Sequence, residues 1–160
     1  MEIERKFLVN KDLINNVSFD ISYKIKQGYL SKNSECSIRV RLIDSSLGLM
    51  TIKSKVKGIS REEIEYEIPF KQGSELYEKF CKNKIKKTRS VLMYKDKKWE
   101  IDFFEDDNEG LIMAEIELTS ENEEFEKPIW IEKEVSYTKK YYNAELARNP
   151  FKKWKRKNEK

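Results

Sequence analysis

Glu2-Ile3-Glu4-Arg5-Lys6-Phe7-Leu8-Val9 opens the chain. Side chains of an extended strand point alternately to its two sides, so Glu2, Glu4 and Lys6 share one face while Ile3 and Phe7 share the other. The same division recurs along the sequence. Arg39 and Arg41 oppose Ile38, Val40 and Leu42; Lys53 and Lys55 oppose Ile52; Glu63, Glu65 and Glu67 oppose Ile64, Tyr66 and Ile68. Further on, Lys87 and Arg89 share a face. Glu100 and Asp102 oppose Trp99, Ile101 and Phe103, and Glu115 and Glu117 oppose Ala114, Ile116 and Leu118.

This period of two predicts strands at 2–9, 22–31, 34–43, 47–54, 61–69, 86–94, 98–105 and 111–119, with a short one near 130–135. Turn residues separate them: Lys32-Asn33-Ser34, Asp44-Ser45-Ser46, Lys57-Gly58, Asp96-Lys97 and Asp106-Asp107-Asn108-Glu109-Gly110. Helical spacing through Leu76, Tyr77, Phe80 and Cys81 predicts a helix capped by Ser74, and a second is expected over 139–148, before Pro150. Many strands, few helices and short turns predict a mainly β, α+β fold, an antiparallel barrel or a strongly curved sheet. Residues 1–150 read as one domain, and 151–160 as a basic tail at the carboxy terminus.

Composition narrows the chemistry. Charged residues make up 39% of the 160, against roughly 25% in an ordinary globular chain. Net charge is only +4, too small an excess for a protein that coats nucleic acid, so nucleic acid is not an expected partner. No histidine is present, which excludes Ser-His-Asp and Cys-His catalysis and histidine-ligated zinc. Cys36 and Cys81 match no metal spacing and read as reduced thiols. No apolar run approaches the roughly 18 residues of a membrane span, and Met1 to Lys6 lacks a signal-peptide core. The cytoplasm is the expected location.

The charged faces are sorted by sign. Arg39/Arg41, Lys53/Lys55 and Lys87/Arg89 are wholly basic, and Glu2/Glu4, Glu63/Glu65 and Glu115/Glu117 wholly acidic. A half-buried sheet with solvated charges would show the same alternation. It would have little reason to set like charges side by side, because such pairs repel. A wide, hydrated barrel with these faces turned inward is the other reading the pattern allows, provided that carboxylates there held hard divalent cations, and the cations and basic groups together a polyanion.

The opening E-x-E-x-K at Glu2, Glu4 and Lys6 resembles the motif of the CYTH, or triphosphate tunnel metalloenzyme, family. The resemblance continues through Gln27-Gly28-Tyr29-Leu30, Arg39-x-Arg41, Thr51-Ile52-Lys53, Gly58-Ile59-Ser60-Arg61 and Glu63-x-Glu65 before Ile68-Pro69. It runs on through Lys87-x-Arg89, Trp99-Glu100-Ile101-Asp102, Asn108-x-Gly110-Leu111, Ala114-Glu115-Ile116-Glu117-Leu118, Lys133-Glu134-Val135 and Tyr142-Asn143. It implies an eight-stranded antiparallel β-barrel tunnel with flanking helices and a carboxy-terminal helix near one mouth. It also implies that Lys6, Arg39, Arg41, Lys53, Lys87, Arg89 and Lys133 bind a small anionic triphosphate. Glu2, Glu4, Asp102, Glu115 and Glu117 are then the metal ligands, for Mg²⁺ or Mn²⁺ and for two ions. Glu63, Glu65 and Lys87 are the catalytic candidates, with Glu63, Glu65 and Asp102 as ligands or as groups that orient water.

Such chemistry suits the residues available. Phosphoryl transfer depends on positioning and charge stabilisation and needs no histidine. Arginine offers a two-pronged fork to phosphate oxygens, and lysine a compact charge. The expected activity is metal-dependent hydrolysis of inorganic triphosphate. A class IV adenylate cyclase, a thiamine, nucleoside or RNA 5′-triphosphatase, and a non-catalytic polyphosphate-binding module are the alternatives. The sequence leaves the oligomeric state open.

Overall fold

The computed structural model describes residues 1–32, 35–55 and 57–154. Asn33 and Ser34 of one expected turn, and residues 155–160 of the basic tail, lie outside that range. Among the described residues one antiparallel sheet holds β1 (Glu2–Val9), β2 (Ile21–Lys32), β3 (Cys36–Ile43), β4 (Leu47–Ser54), β5 (Ser60–Arg61), β6 (Glu63–Ile68), β7 (Asn83–Tyr94), β8 (Lys97–Phe104), β9 (Ile112–Glu117) and β10 (Ile131–Glu134). The order is β10-β1-β9-β8-β7-β2-β3-β4-β6, with β5 paired to β1.

The strand expected at 61–69 is divided in two, and the division closes the sheet. Glu2 and Ile3 of β1 pair with Arg61 and Ser60 of β5, while β6 pairs with β4. At the junction the Glu62 N–H donates to Ser54 Oγ at 2.9 Å, and the Glu62 carbonyl accepts from the Ser54 N–H at 3.0 Å. One continuous segment therefore reaches both edges, and the sheet curls into a nearly closed barrel. The other expected turns fall where the small polar residues predict them, with Asp44, Gly58, Asp96, Asp106 and Gly110 at positive φ.

Two helix expectations change. The helix α2 (Phe70–Lys79) begins at Phe70, so Ser74 lies inside it and Pro69 takes the N-cap place. Proline has no N–H to leave unpaired, and its carbonyl accepts from the Gly73 N–H at 3.0 Å. The helix expected over 139–148 is interrupted at Tyr142, whose ψ is 138°. A 3-10 turn at Lys139–Tyr141 precedes it and a shorter helix, α3 (Asn143–Arg148), follows. An unanticipated short helix, α1 (Lys11–Ile14), follows β1; its Asn10 cap accepts from the Leu13 N–H.

The outer face of the barrel carries the main core. Phe7, Trp99, Ile101 and Ile116 are buried there beneath Ile14 of α1 and residues Leu118 and Trp130 of the long β9–β10 connection. Trp99 meets Phe7, Phe125 and Trp130 with ring centroids 5.7–5.8 Å apart. Full burial of such a side chain contributes about 2–3 kcal/mol. Tyr77 of α2 and Cys81 beyond it cover Val40 and Leu42. The inner face alternates out of phase with this core and is charged. Toward one end it turns apolar: Leu8, Ile85, Phe104 and Met113 follow Lys6, Lys87, Asp102 and Glu115 on the same faces, and they pack with Val135 and with Leu146 of α3. The carboxy-terminal helix therefore sits at one mouth, as expected.

Candidate active site

Register turns the sorting of charge by strand into pairing between strands. Lys6 of β1 lies directly opposite Glu115 of β9, Lys53 of β4 opposite Glu63 of β6, and Arg89 of β7 opposite Asp102 of β8. Opposed residues of an antiparallel pair share a face, so all of these side chains meet inside the barrel. Lys6 Nζ is 3.7 Å from Glu4 and from Glu115. Lys53 Nζ is 2.9 Å from Glu2 and 3.2 Å from Glu63. Arg89 grips Asp102 with two bonds of 2.7 and 2.9 Å, and Lys87 Nζ reaches the same carboxylate at 2.7 Å.

These contacts set the proton affinities. Burial alone would raise Asp102, but Arg89 and Lys87 hold it down at about 2. Burial pushes Lys87 down to about 7 against the pull of Asp102. Burial, then the neighbouring Arg39 and Arg89, lowers Arg41 to about 10. Burial, then Glu115, raises Glu4 to about 7. Burial works against Glu115 as well, yet Lys6, Arg89 and Lys87 keep it well below the usual carboxylate range.

The cations outnumber good partners on the β3 side. Arg39 is 7% exposed; its guanidinium donates to Thr51 Oγ1 at 3.2 Å and lies 3.7 Å from Glu65, while its Nε has no hydrogen-bond partner among the described residues. Thr51 in turn donates to Glu65 at 2.7 Å. A buried, unpartnered N–H on a charged group is costly unless a ligand satisfies it. A cavity of about 510 Å³ opens on this wall, lined by Glu4, Lys6, Arg39 and Lys53 together with Arg61, Tyr29, Tyr142 and Asn143.

Of the candidates read from the sequence, Lys6, Arg39, Arg41, Lys53, Lys87, Arg89, Glu2, Glu4, Glu63, Glu65, Asp102 and Glu115 gather on the inner face. Glu117 faces inward at the rim and is exposed; burial and then Glu2, Glu100 and Glu63 raise its pKa. Lys133 is exposed on β10 and is not among the cavity residues. Arg61, Tyr29, Tyr142 and Asn143 were quoted above only as motif residues, without roles. The rings offer a reason for one of them. Lys6 Nζ and the Arg61 guanidinium lie 5.4 and 5.9 Å from the Tyr142 ring centroid, within cation–π range.

The donor set suits a hard cation. Among the described residues no three acidic or thiol groups converge as a finished metal cage. Yet Glu4 lies directly opposite Glu117, and Glu100 directly opposite Glu115. Like charges so placed repel, and an ion of the Mg²⁺ type asks for only one or two carboxylates, with water and ligand oxygens completing its shell.

The chain matches the CYTH domain model over residues 1–147. It is 41% identical over 155 residues to an inorganic triphosphatase of Acetivibrio thermocellus, covering 96% of this chain and 97% of that protein. It is 33% identical over 150 residues to an inorganic triphosphatase of Nitrosomonas europaea, covering 91% and 96%. The crystal structure of the inorganic triphosphatase NE1496 superposes with a TM-score of 0.66 at 30% identity, covering 92% of this chain and 94% of the other. An antiparallel barrel lined by sorted charges and opened by E-x-E-x-K is thus accompanied by homology along nearly its whole length: the chain belongs to the CYTH domain family.

Proposed function

We propose that this protein hydrolyses inorganic triphosphate (tripolyphosphate) to pyrophosphate and orthophosphate inside the barrel, with the help of Mg²⁺ or Mn²⁺. The carrying observation is the buried Arg39, whose Nε has no partner among the described residues, on the wall of a cavity that Lys6 and Lys53 also line. A multivalent anion satisfies such groups together. The two relatives described as inorganic triphosphatases support the same substrate class.

In this reading Lys6, Arg39, Arg41, Lys53, Lys87 and Arg89 bind phosphoryl oxygens, and Arg61 joins them at the mouth. Lys133, exposed on β10, is a further phosphate contact outside the buried set. The arginines supply paired donors, and the charge they concentrate stabilises the negative charge spread over the transferring group. Glu2, Glu4, Asp102, Glu115 and Glu117 supply the oxygens for up to two metal ions. A bound ion of this kind neutralises phosphate charge and lowers the pKa of a coordinated water. Glu63 and Glu65, which face the same interior, orient the attacking water. Lys87, with its affinity for a proton brought to about 7, can hold or release one near neutral pH. Two widely separated cysteines fit the reducing cytoplasm, which the proposal takes as the location. Among the described residues no helix is long and apolar enough to cross a membrane.

Competition kinetics test the substrate. Tripolyphosphate and ATP are compared under the same metal conditions with nucleotide products resolved. A higher kcat/KM is expected for tripolyphosphate. A higher value for ATP, or cyclic AMP as the main nucleotide product, overturns the assignment.

A further inference from the structure

Two neutral side chains stand among the tunnel cations. Gln27 of β2 is fully buried, and Asn143 is the first residue of α3. Lys87 Nζ donates to Asn143 Oδ1 at 2.8 Å. Gln27 Nε2 donates to the same oxygen at 3.2 Å and to the Tyr29 hydroxyl at 3.2 Å. Arg41 Nε donates to Gln27 Oε1 at 3.0 Å. Chemistry fixes the direction of this chain. Protonated lysine and arginine only donate, so each must face an amide oxygen; the Gln27 nitrogen is then left to donate to Asn143. Arg41–Gln27–Asn143–Lys87 is therefore a single bridge between two cations that meet on the inner wall.

The bridge has a property that a carboxylate at either place would lack. Asp or Glu would accept the same hydrogen bonds but would cancel one positive charge. Amides fix the geometry and add no second negative charge beside Lys87, whose ammonium already meets Asp102 at 2.7 Å. They also tie the wall to α3, which holds its own place through Leu146 in the apolar end of the barrel.

We propose that Asn143, backed by Gln27, is a positioning residue that aims Lys87 and Arg41 at a multivalent phosphate anion without neutralising them, so that α3 is part of the site and not only its cover. The proposal rests on the triphosphate reading given above, and it is tested through binding as well as turnover. In Asn143→Asp the shape is kept and a charge is added; binding of tripolyphosphate to the metal-free protein, measured by calorimetry, weakens about tenfold or more. Gln27→Glu produces the same direction of change. In Asn143→Ala the charge is kept and the aim is lost; kcat falls about tenfold or more while KM moves less than about threefold. Melting of the ligand-free variants is followed in parallel. Wild-type affinity in both acidic variants, or an Asn143→Ala loss that falls equally on kcat and KM and tracks the melting temperature, overturns the proposal. Should the wild type bind tripolyphosphate and fail to cleave it, the hydrolase reading fails, while the binding arm still decides the role of the two amides.

Discussion

Lys53 Nζ lies 2.9 Å from Glu2 Oε1, joining β4 to β1 across the seam of the barrel. Those strands are not neighbours in the sheet, and the backbone closes the gap through Ser60 and Arg61 and through the Glu4 N–H, which donates to the Ile59 carbonyl at 3.3 Å. The ion pair is thus a side-chain fastening beside the backbone closure. Both side chains are largely buried, at 13% and 16% exposure.

Lys53→Ala should therefore weaken the fold as well as the site. Removing one partner leaves Glu2 and Glu63 facing each other without their cation, at a cost of about 3 kcal/mol. Urea unfolding measures that loss, and the KM for tripolyphosphate should rise about tenfold in the same variant. An unchanged unfolding midpoint means the seam does not depend on this pair.

Arg39 and Arg41 predict a ligand effect that needs no turnover. Tripolyphosphate at 100 times its Kd stabilises the wild-type protein by about 2.7 kcal/mol. The double variant Arg39→Ala/Arg41→Ala should lose nearly all of that gain. Arg39→Lys should recover little, since a lysine has no Nε–H to fill the vacant direction. Equal stabilisation in wild type and double variant would place the anion elsewhere.

Metal-free protein should show opposite slopes of stability on either side of neutrality. Glu4 has its folded pKa raised from 4.5 to about 7, so the native state binds more protons than the unfolded state between those values, and stability falls as pH rises through them. Lys87 has its folded pKa lowered from 10.5 to about 7, so the unfolded state binds more protons there, and stability climbs from about pH 7 to 10.5. Asp102 acts at the acid end; its contribution is complete above pH 3.8 and is lost as pH falls through about 2. Glu4→Gln should flatten the first limb and Lys87→Met the second, in denaturation curves recorded with a chelator present.

Gly28 gives a packing prediction. A Cβ there would stand 2.6 Å from Cys81 Cβ and 2.8 Å from its Sγ, where the end of α2 leans on β2. Gly28→Ala should cost about 1–3 kcal/mol. Adding Cys81→Gly should return part of it, and thermal melting of the single and double variants reads both.

Much of this was legible in the sequence because strands write their faces in alternate residues. The period of two located nearly all of the sheet, and the sign of Arg39/Arg41 or Glu115/Glu117 marked the inner face. What alternation does not carry is register. That Lys53 meets Glu63 and Glu2, and Arg89 meets Asp102, follows from how strands slide past one another. The break at Glu62 was hidden for a related reason: Arg61-Glu62-Glu63 interrupts the alternation with three charges in a row, and only the two partner strands, β1 and β4, show that the segment divides there. Ser74 looked like a cap because its type favours caps, but Pro69 supplies a start earlier in the chain. Gln27, Arg61 and Asn143 carried no signal from a like neighbour two residues away, and their roles depend on contacts between distant segments.

Phosphorus-31 spectroscopy of tripolyphosphate turnover tests the central claim most directly. With Mg²⁺ or Mn²⁺ the wild-type protein should yield one orthophosphate for each pyrophosphate, and Glu117→Gln should abolish that turnover while sparing some binding. In excess chelator no product should form, since the carboxylates that orient the attacking water need the ion to offset their repulsion of the phosphate and to activate that water. Product formation that continues unchanged in chelator, or no cleavage with either ion present, would contradict the account.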